Sequence, residues 1–142
     1  MGQQQLLLLV LATVVVGLAT VAGIKAFDKG QKQVSQDARR QVAANILSDV
    51  KAHLNKPPEL GGFEWPGPKM APQATVKLLK EMGYEAEVRD GDAVVPIEGS
   101  GGWCELSIGG TDADVYCWPA SGNWSQRVHG MFNRYENGEI IL

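Results

Sequence analysis

The sequence predicts an α+β protein in which a long amino-terminal helix precedes a small antiparallel β-sheet. An apolar run near the amino terminus is long enough for a membrane-length helix, helical periodicity then continues to Leu54, and the period changes to two from Tyr84 onward. The chain has 142 residues, which is room for one domain of ordinary size. We divide it into a long helical segment, residues 1–55, and a β-rich head, residues 56–142.

The composition narrows the class of function. The formal net charge is -3, and no basic face or tail of the kind that binds nucleic acid is present, so we expect no nucleic-acid partner. The two histidines lie 76 positions apart, and a zinc site of usual composition would have to draw on them or on both cysteines, which does not favour metal catalysis. Neither His53 nor His129 is paired with a nucleophile at a recognisable spacing. We therefore expect no catalytic residues, no metal and no cofactor.

The apolar segment, Leu6–Ile24, contains 19 residues without a charged, amide or aromatic side chain. As a helix it would span roughly 29 Å, close to the hydrocarbon thickness of a bilayer. The alternatives are a buried core helix and a cleaved secretory signal. A chain this short has little mass with which to surround such a helix, and the preceding MGQQQ lacks the basic region that a secretory signal needs. The segment is therefore predicted to be a membrane-length helix.

Small and amide residues punctuate this segment and its start. Thr13 and Gly17, like Ala19 and Gly23, have the four-residue spacing that lets helix backbones approach closely in an apolar medium. Such residues are also common in membrane helices that pack against lipid alone. The amides of residues 3–5 would bond to neighbouring subunits inside a helix bundle, or would lie among lipid headgroups. For the small residues and for the amides alike, contact with other helices and contact with lipid both stay open.

Helical periodicity continues beyond the apolar segment. No proline and a single glycine occur from Lys25 to Asn55, and the prolines that follow end the helix. Apolar residues recur every four positions, with Ala43 and Leu47 beside them: Val34, Ala38, Val42, Ile46, Val50 and Leu54. Charged residues occupy the other faces: Asp28, Lys32, Asp37, Arg39, Arg40, Asp49 and Lys51. We predict one helix from about Gln4 to Leu54, roughly 75 Å long, whose apolar half protrudes and whose amphipathic half packs on the head.

A loop and a short helix open the head. Residues 56–72 include five prolines and three glycines, which predicts a connecting loop. We expect Phe63 and Trp65 to anchor this loop. A helix follows from about Gln73 to Met82, with Gly83 as its carboxy-terminal stop. Its inward residues are Val76, Leu79 and Met82.

Three β-hairpins complete the head. They are Tyr84–Arg89 with Ala93–Glu98 around Asp90-Gly91, Trp103–Ile108 with Ala113–Trp118 around residues 109–112, and Met131–Tyr135 with Glu139–Leu142 around Asn137-Gly138. Because proline cannot donate a ladder hydrogen bond, Pro96 predicts an edge strand or a bulge. The head is thus a small antiparallel sheet, one face of which should lie on the amphipathic half of the long helix.

The two cysteines fall opposite each other in the simplest register of the second hairpin. That register pairs Cys104 with Cys117, and it also pairs Leu106 with Val115 and Ile108 with Ala113 on the same face. Facing residues of a non-hydrogen-bonded pair have the close separation that a disulfide needs. We predict a disulfide, which would place the head in an oxidising compartment. Two buried free thiols in a cytosolic protein are the alternative.

An apolar helix that continues into an amphipathic one, then a loop and a small sheet with one late disulfide, resembles a type IV pilin or a pseudopilin. The resemblance covers the whole chain in architecture and residues 1–55 in pattern. In that family the apolar half-helices bundle at the core of a helical filament, the heads face outward, and subunits wait in the membrane before assembly. The resemblance implies a core formed by Gln3, Gln4, Gln5, Leu6, Leu9, Ala12, Thr13, Val16, Gly17, Thr20, Gly23 and Ile24.

The sequence departs from the family at its start. Bacterial pilins usually carry Glu at the fifth mature position, which is Gln5 if Met1 is the mature start. The family is made with a basic leader that ends in Gly; Met1-Gly2 could be its remnant, processing could have occurred before Met1, or the mature chain could begin at Gln3. Lys25, Lys29 and Lys32 follow the apolar segment and nothing basic precedes it, which by the positive-inside rule puts the head in the cytoplasm. A removed basic leader would reverse that orientation.

The resemblance implies a structural subunit of an extracellular filament, with an inner-membrane-anchored pool before assembly. Its partners would be identical subunits, the membrane and a pilus-type assembly machinery. The alternatives are a minor pseudopilin of a secretion or uptake machine and a single-pass membrane-anchored binding domain. In the head, Asn123 begins an Asn-x-Ser pattern that could accept a glycan. Trp103, Trp118 and Trp124 would form an exposed aromatic patch or would pack in the core.

Overall fold

The computed structural model describes residues 2–62, 69–99, 101–133 and 140–142. Its helices are α1 (Gly2–Leu54), a 3-10 turn (Pro58–Leu60), α2 (Pro72–Glu81) and a second 3-10 turn (Trp124–Gln126). Its strands are β1 (Glu87–Arg89), β2 (Asp92–Pro96), β3 (Trp103–Gly109), β4 (Asp112–Trp118), β5 (Val128–Asn133) and β6 (Ile140–Ile141). The predicted α+β class is confirmed. The chain divides into two compact units, Met1–Ser35 and Gln36–Leu142, which are described separately.

Helix α1 is continuous and ends where the sequence predicts, although it begins two residues earlier than expected. No break separates the apolar segment from the residues after it. The last turn closes with a hydrogen bond of 3.0 Å from the Asn55 N–H to the Lys51 carbonyl, and two prolines follow at once. In the first unit, every residue from Gly2 to Lys29 is exposed.

The buried face of α1 differs from the predicted stripe. Val34 and Ala38 are exposed, whereas Arg39, predicted on a charged face, is buried. Four residues turn a helix by about 400°, so a strict four-residue repeat drifts by about 40° at each step and leaves the core within a few turns. The observed buried positions mix steps of three and four and therefore stay on one face: Arg39, Ala43, Ile46, Leu47, Val50 and Leu54.

Helix α2 begins at Pro72, where a missing N–H costs nothing, and it ends at Glu81, with Gly83 as the predicted stop. Gly83 has a φ of 92°, and its N–H bonds to the Lys80 carbonyl at 3.0 Å. The N–H of Tyr84 reaches back to the Leu79 carbonyl at 2.9 Å. This pair of bonds is a Schellman motif, which takes Tyr84 out of the strand predicted to begin there. The buried residues of α2 are Thr75, Val76, Leu78 and Leu79, and Met82 is half-buried.

The six strands of the described residues form one antiparallel sheet in the order β1-β2-β3-β4-β5-β6. The Asp90-Gly91 turn has φ values of 53° and 90°, as a type I′ hairpin requires, so that prediction is confirmed. Strand β5 begins at Val128, three residues before the predicted start, and Phe132 pairs with Ile140 of β6. The predicted turn at Asn137-Gly138 lies outside the described residues, as do Phe63 and Trp65.

The expectation that Pro96 marks an edge strand or a bulge is wrong. Strand β2 lies between β1 and β3, and Pro96 pairs with Trp103 at its end. The next residue, Ile97, donates its N–H to the Gly102 carbonyl at 2.8 Å, on the β3 side. Because successive residues of a strand alternate sides, the Pro96 nitrogen faces the β1 side, where pairing extends only to Val94. No ladder hydrogen bond is lost there.

Both helices contribute to one core cluster with the strands. The cluster begins at Ala43 of α1 and includes Leu78 and Leu79 of α2 together with inward residues of the strands. Gly130 lies at the centre of this packing, because a Cβ added there would lie 2.9 Å from Cδ1 of Leu47 and 2.7 Å from Cδ2 of Leu142. One face of the sheet therefore covers the buried face of α1. The other face of the sheet carries polar and aromatic side chains.

Candidate functional site

The apolar segment Leu6–Ile24 is exposed along its whole length. Its Leu, Val and Ile side chains are 51% to 69% exposed. The most apolar 18-residue window of α1 has a mean hydropathy of 2.7 with none of it buried, so by length and composition this helix could cross a membrane. Exposed apolar surface of this extent is unfavourable in water. The segment must therefore be covered by lipid or by another protein surface.

The hydroxyl groups of the segment are already hydrogen-bonded within the helix. Thr13 donates to the Val10 carbonyl and Thr20 to the Val16 carbonyl, each at 2.8 Å. These residues therefore bring small size to the helix surface without an unpaired polar group. By contrast, the exposed amides of Gln3, Gln4 and Gln5 make no side-chain hydrogen bond to any described residue. An apolar medium would oblige these three side chains to find partners.

The glycines of the segment have no packing reason within the chain. A Cβ added at Gly17 or Gly23 would meet nothing within 4 Å. Glycine in a helix interior is less favourable than alanine by roughly 1 kcal/mol. Any requirement for a small residue at these two positions must then come from a molecule outside the chain.

The residues predicted to form the filament core all lie on helix α1. All of them are exposed, and none belongs to the core cluster of the head. A second apolar stripe, on an adjacent face, has the spacing of helix-packing positions. It is formed by Gln3, Leu6, Leu7, Val10, Leu11 and Val14. Four of these, Leu7, Val10, Leu11 and Val14, were not among the predicted residues. The same three- and four-residue spacing in the sequence could have identified them.

The predicted disulfide is confirmed. Cys104 and Cys117 are opposite each other in the β3–β4 register, are bonded, and are 1% and 0% exposed. The pairings of Leu106 with Val115 and of Ile108 with Ala113 are also those predicted. The bond therefore lies inside the core and joins the two central strands of the sheet.

Aromatic side chains lie on the other face of the sheet in two groups of ring contacts, here together called the aromatic strip: Trp103, Tyr116, Trp118, Trp124 and His129. Trp103 stacks on Trp118 with ring centroids 6.5 Å apart, and Trp124 meets Trp118 edge-to-face at 4.7 Å. Tyr116 stacks on His129 at 4.3 Å. Trp118 is buried and Trp124 is 69% exposed, but none of the three tryptophans belongs to the core cluster. The tryptophans therefore lie outside the core cluster, and only Trp124 among them is exposed.

Asn123 caps the 3-10 turn that carries Trp124. Its side-chain oxygen accepts hydrogen bonds from the Ser125 N–H at 3.1 Å and from the Ser125 hydroxyl at 2.9 Å. Asn123 and Ser125 are both exposed. The Asn-x-Ser pattern therefore lies at the surface, and glycan attachment at Asn123 stays a prediction.

The histidines do not meet a nucleophile in the described part of the chain. His53 is half-buried on α1, and His129 Nε2 lies 3.0 Å from Asp114 Oδ1 on the sheet surface. The described residues contain no group of three or more His, Cys, Asp and Glu side chains that could hold a metal ion. His129 contributes to the aromatic strip through its contact with Tyr116.

Comparison with known proteins gives no match for this chain. No protein-family model, no curated protein and no solved structure matches it.

Proposed function

We propose that this chain is the structural subunit of an extracellular, type IV pilus-like filament. It polymerises by bundling its apolar segment with those of identical subunits, and the heads face outward for adhesion or surface contact. The observation that carries this proposal is the exposure of Leu6–Ile24 along its full length. A helix this apolar needs a cover, and copies of the same helix supply one in the interior of a filament.

The small residues favour a helix bundle over a lipid cover. Lipid tails place no limit on side-chain size, whereas closely packed helices do. Gly17 and Gly23 are open on the helix surface, and the neighbouring threonines have no unpaired hydroxyl. In a bundle, the amides of residues 3–5 bond to those of adjacent subunits. Their position at the start of the apolar segment supports the same arrangement.

The disulfide favours a head outside the cytoplasm. Disulfides persist in oxidising compartments and are rare in the cytosol. The proposal implies a membrane-anchored pool of subunits and a pilus-type assembly machinery. The alternative of a minor pseudopilin implies the same two partners. One observation favours a different function: Lys25, Lys29 and Lys32 follow the apolar segment, as in a single-pass anchored binding domain with a cytoplasmic head. That head would be exposed to reductants that act against its disulfide.

The proposal is tested by electron microscopy of material sheared from intact cells, with intact-mass analysis of the same fraction. We expect regular thin filaments that contain this chain. The mass locates the mature amino terminus and shows whether Asn123 carries a glycan. If the protein stays wholly in the membrane pellet and no filaments are present, the chain is an anchored domain and the filament proposal is overturned.

A further inference from the structure

The aromatic strip holds an arginine whose charge has no partner in the described residues. Arg127 is exposed, and its guanidinium carbon lies 5.1 Å from the centre of the Trp124 ring, 5.4 Å from that of Tyr116 and 5.8 Å from that of Trp118. These distances are within the range of cation–π attraction. No carboxylate of the described residues forms an ion pair with it.

A second arginine lies over the aromatic strip, but its charge is paired with a carboxylate. Arg89 lies 5.8 Å from the centre of the Trp103 ring, and its guanidinium is paired with Glu87 at 2.8 Å. A cation–π contact is an attraction to the charge of a guanidinium and does not satisfy its N–H donors as a carboxylate does. In Arg89 those donors serve Glu87. In Arg127 they are free for an external carboxylate, which a guanidinium binds with two parallel hydrogen bonds.

Trp124 is the most exposed tryptophan of the aromatic strip, and Arg127 lies over its ring. Trp124 is 69% exposed, and its sequence neighbours Asn123 and Ser125 are exposed and polar. The other large apolar side chains exposed in the described head are Leu60, Val88, Ile141 and Leu142, none of them in the 3-10 turn Trp124–Gln126. A protein interface usually has an apolar centre wider than one ring. One exposed tryptophan with polar residues on both sides of it in the sequence suits a pyranose, which has an apolar C–H face and a polar rim.

We propose that Trp124 and Arg127 form a binding site for an acidic polysaccharide. A pyranose ring stacks on Trp124, and the carboxylate of a uronic acid accepts hydrogen bonds from Arg127. Asn123 and Ser125 lie at the rim, where sugar hydroxyls can be bound. This site requires only the folded head, so it is independent of whether the chain polymerises.

The test is calorimetric titration of the full chain with hexagalacturonate, in a polyoxyethylene detergent that carries no sugar. We expect saturable binding that weakens about tenfold or more in Arg127→Gln, because a charged hydrogen-bond donor is lost. Trp124→Ala should weaken it to a similar extent. Fully methyl-esterified hexagalacturonate, which keeps the rings and loses the charge, should also bind about tenfold or more weakly. Arg89→Gln is the matched control and should bind within about twofold of the parent chain.

Several outcomes would overturn the proposal. The parent chain could fail to bind, Arg127→Gln could bind as tightly as the parent, or the methyl ester could bind as tightly as the free acid. If no oligosaccharide binds and Trp124→Ala changes the sedimentation of the chain in detergent, the surface is a contact between copies. Thermal unfolding of each variant confirms the fold. Arg127→Lys, which keeps the charge and loses the two-pronged geometry, gives an independent second variant with an intermediate affinity.

Discussion

Tyr84 links the region after α2 to the long helix by a single side-chain hydrogen bond. Its hydroxyl donates to Oδ2 of Asp49 at 2.5 Å. Burial, followed by this hydrogen bond and the negative charge of Asp49, raises the pKa of Tyr84 well above its ordinary value of 10.0. The unfolded chain therefore loses the tyrosine proton at a lower pH than the folded chain. The stabilisation is fully present below about pH 10 and is lost as the pH rises further.

We expect Tyr84→Phe to lower the free energy of unfolding by about 1 kcal/mol at pH 7, because one hydrogen bond to a charged acceptor is removed. The difference between the parent chain and the variant should shrink above about pH 10. Urea unfolding in nonionic detergent, followed by tryptophan fluorescence, measures both effects, since all four tryptophans lie in the head.

Tyr116→Phe is the matched control for this change. Tyr116 is also half-buried, and its hydroxyl makes no hydrogen bond to a described residue. Its removal should change the free energy of unfolding by no more than about 0.5 kcal/mol. Equal losses in the two variants would show that the Tyr84–Asp49 hydrogen bond contributes nothing.

Gly17 is the residue at which the filament proposal is most sharply testable. We expect Gly17→Leu, and likewise Ala12→Phe, to block assembly and to leave the unfolding midpoint of the head unchanged. Neither position contacts the core, and a larger side chain separates helices that must approach closely. Electron microscopy of sheared material, with tryptophan-monitored unfolding of the membrane fraction, measures the two expectations.

Gly30→Leu makes the same chemical change in the same helix, outside the apolar segment. A Cβ at Gly30 also meets nothing within 4 Å. Filaments should therefore form with this variant. Normal filaments built from Gly17→Leu subunits would instead show that the segment is not closely packed against its neighbours.

Among the elements, the β3–β4 hairpin supplies the two central strands of the sheet, and the disulfide joins them. Replacing both Cys104 and Cys117 by Ala should lower the free energy of unfolding by about 3 kcal/mol, because the crosslink closes a loop with a sequence separation of 13. Urea unfolding measures this loss. The reduced parent chain is the control, since it loses the crosslink and keeps the buried sulfur atoms. An unchanged midpoint in both would contradict the prediction.

Local signals were sufficient to predict the elements whose geometry is set within a few residues. The Asp90-Gly91 turn, the Gly83 stop and the facing cysteines all follow from neighbouring positions. Arg39 was misplaced because its surroundings depend on distant parts of the chain, and Pro96 because the pairing of β1 with β2 stops at Val94. Arg39 is 3% exposed and donates a long hydrogen bond of 3.4 Å to the carbonyl of Gln126. Nothing near it in the sequence indicates that contact.

The candidate sites differ in the same way. The apolar segment could be predicted from composition, since its exposure needs no tertiary information. The face of the segment that meets a neighbour could not be predicted, because the neighbour is another molecule. The stacking of Trp103 on Trp118 follows from strand register, as these residues are paired. The position of Arg127 over three rings depends on the path of the chain between β4 and β5, which no periodicity specifies.

At the scale of the whole molecule, the core formed by the described residues belongs to one unit. The core cluster begins at Ala43, inside the unit Gln36–Leu142. A chain that begins at Gln36 should therefore remain in solution without detergent and should unfold cooperatively. Its midpoint should match that of the full chain, as tryptophan fluorescence in urea would show.

A chain that begins at Leu47 is the matched control for this truncation. It lacks Ala43 and Ile46, which are both 0% exposed, so it should lose cooperative unfolding. If the chain from Gln36 also failed to unfold cooperatively, residues before it would have to contribute to the stability of the head.

The strand order of the sheet is the order of the strands along the chain. Each hairpin can therefore close as soon as its second strand has been synthesised or exported, without waiting for a distant partner. Contacts that are close in sequence favour rapid folding. A chain with two cysteines also has a single intramolecular pairing, so oxidation needs no reshuffling. The head can thus fold progressively along the chain, one hairpin after another, and needs no change of disulfide partner.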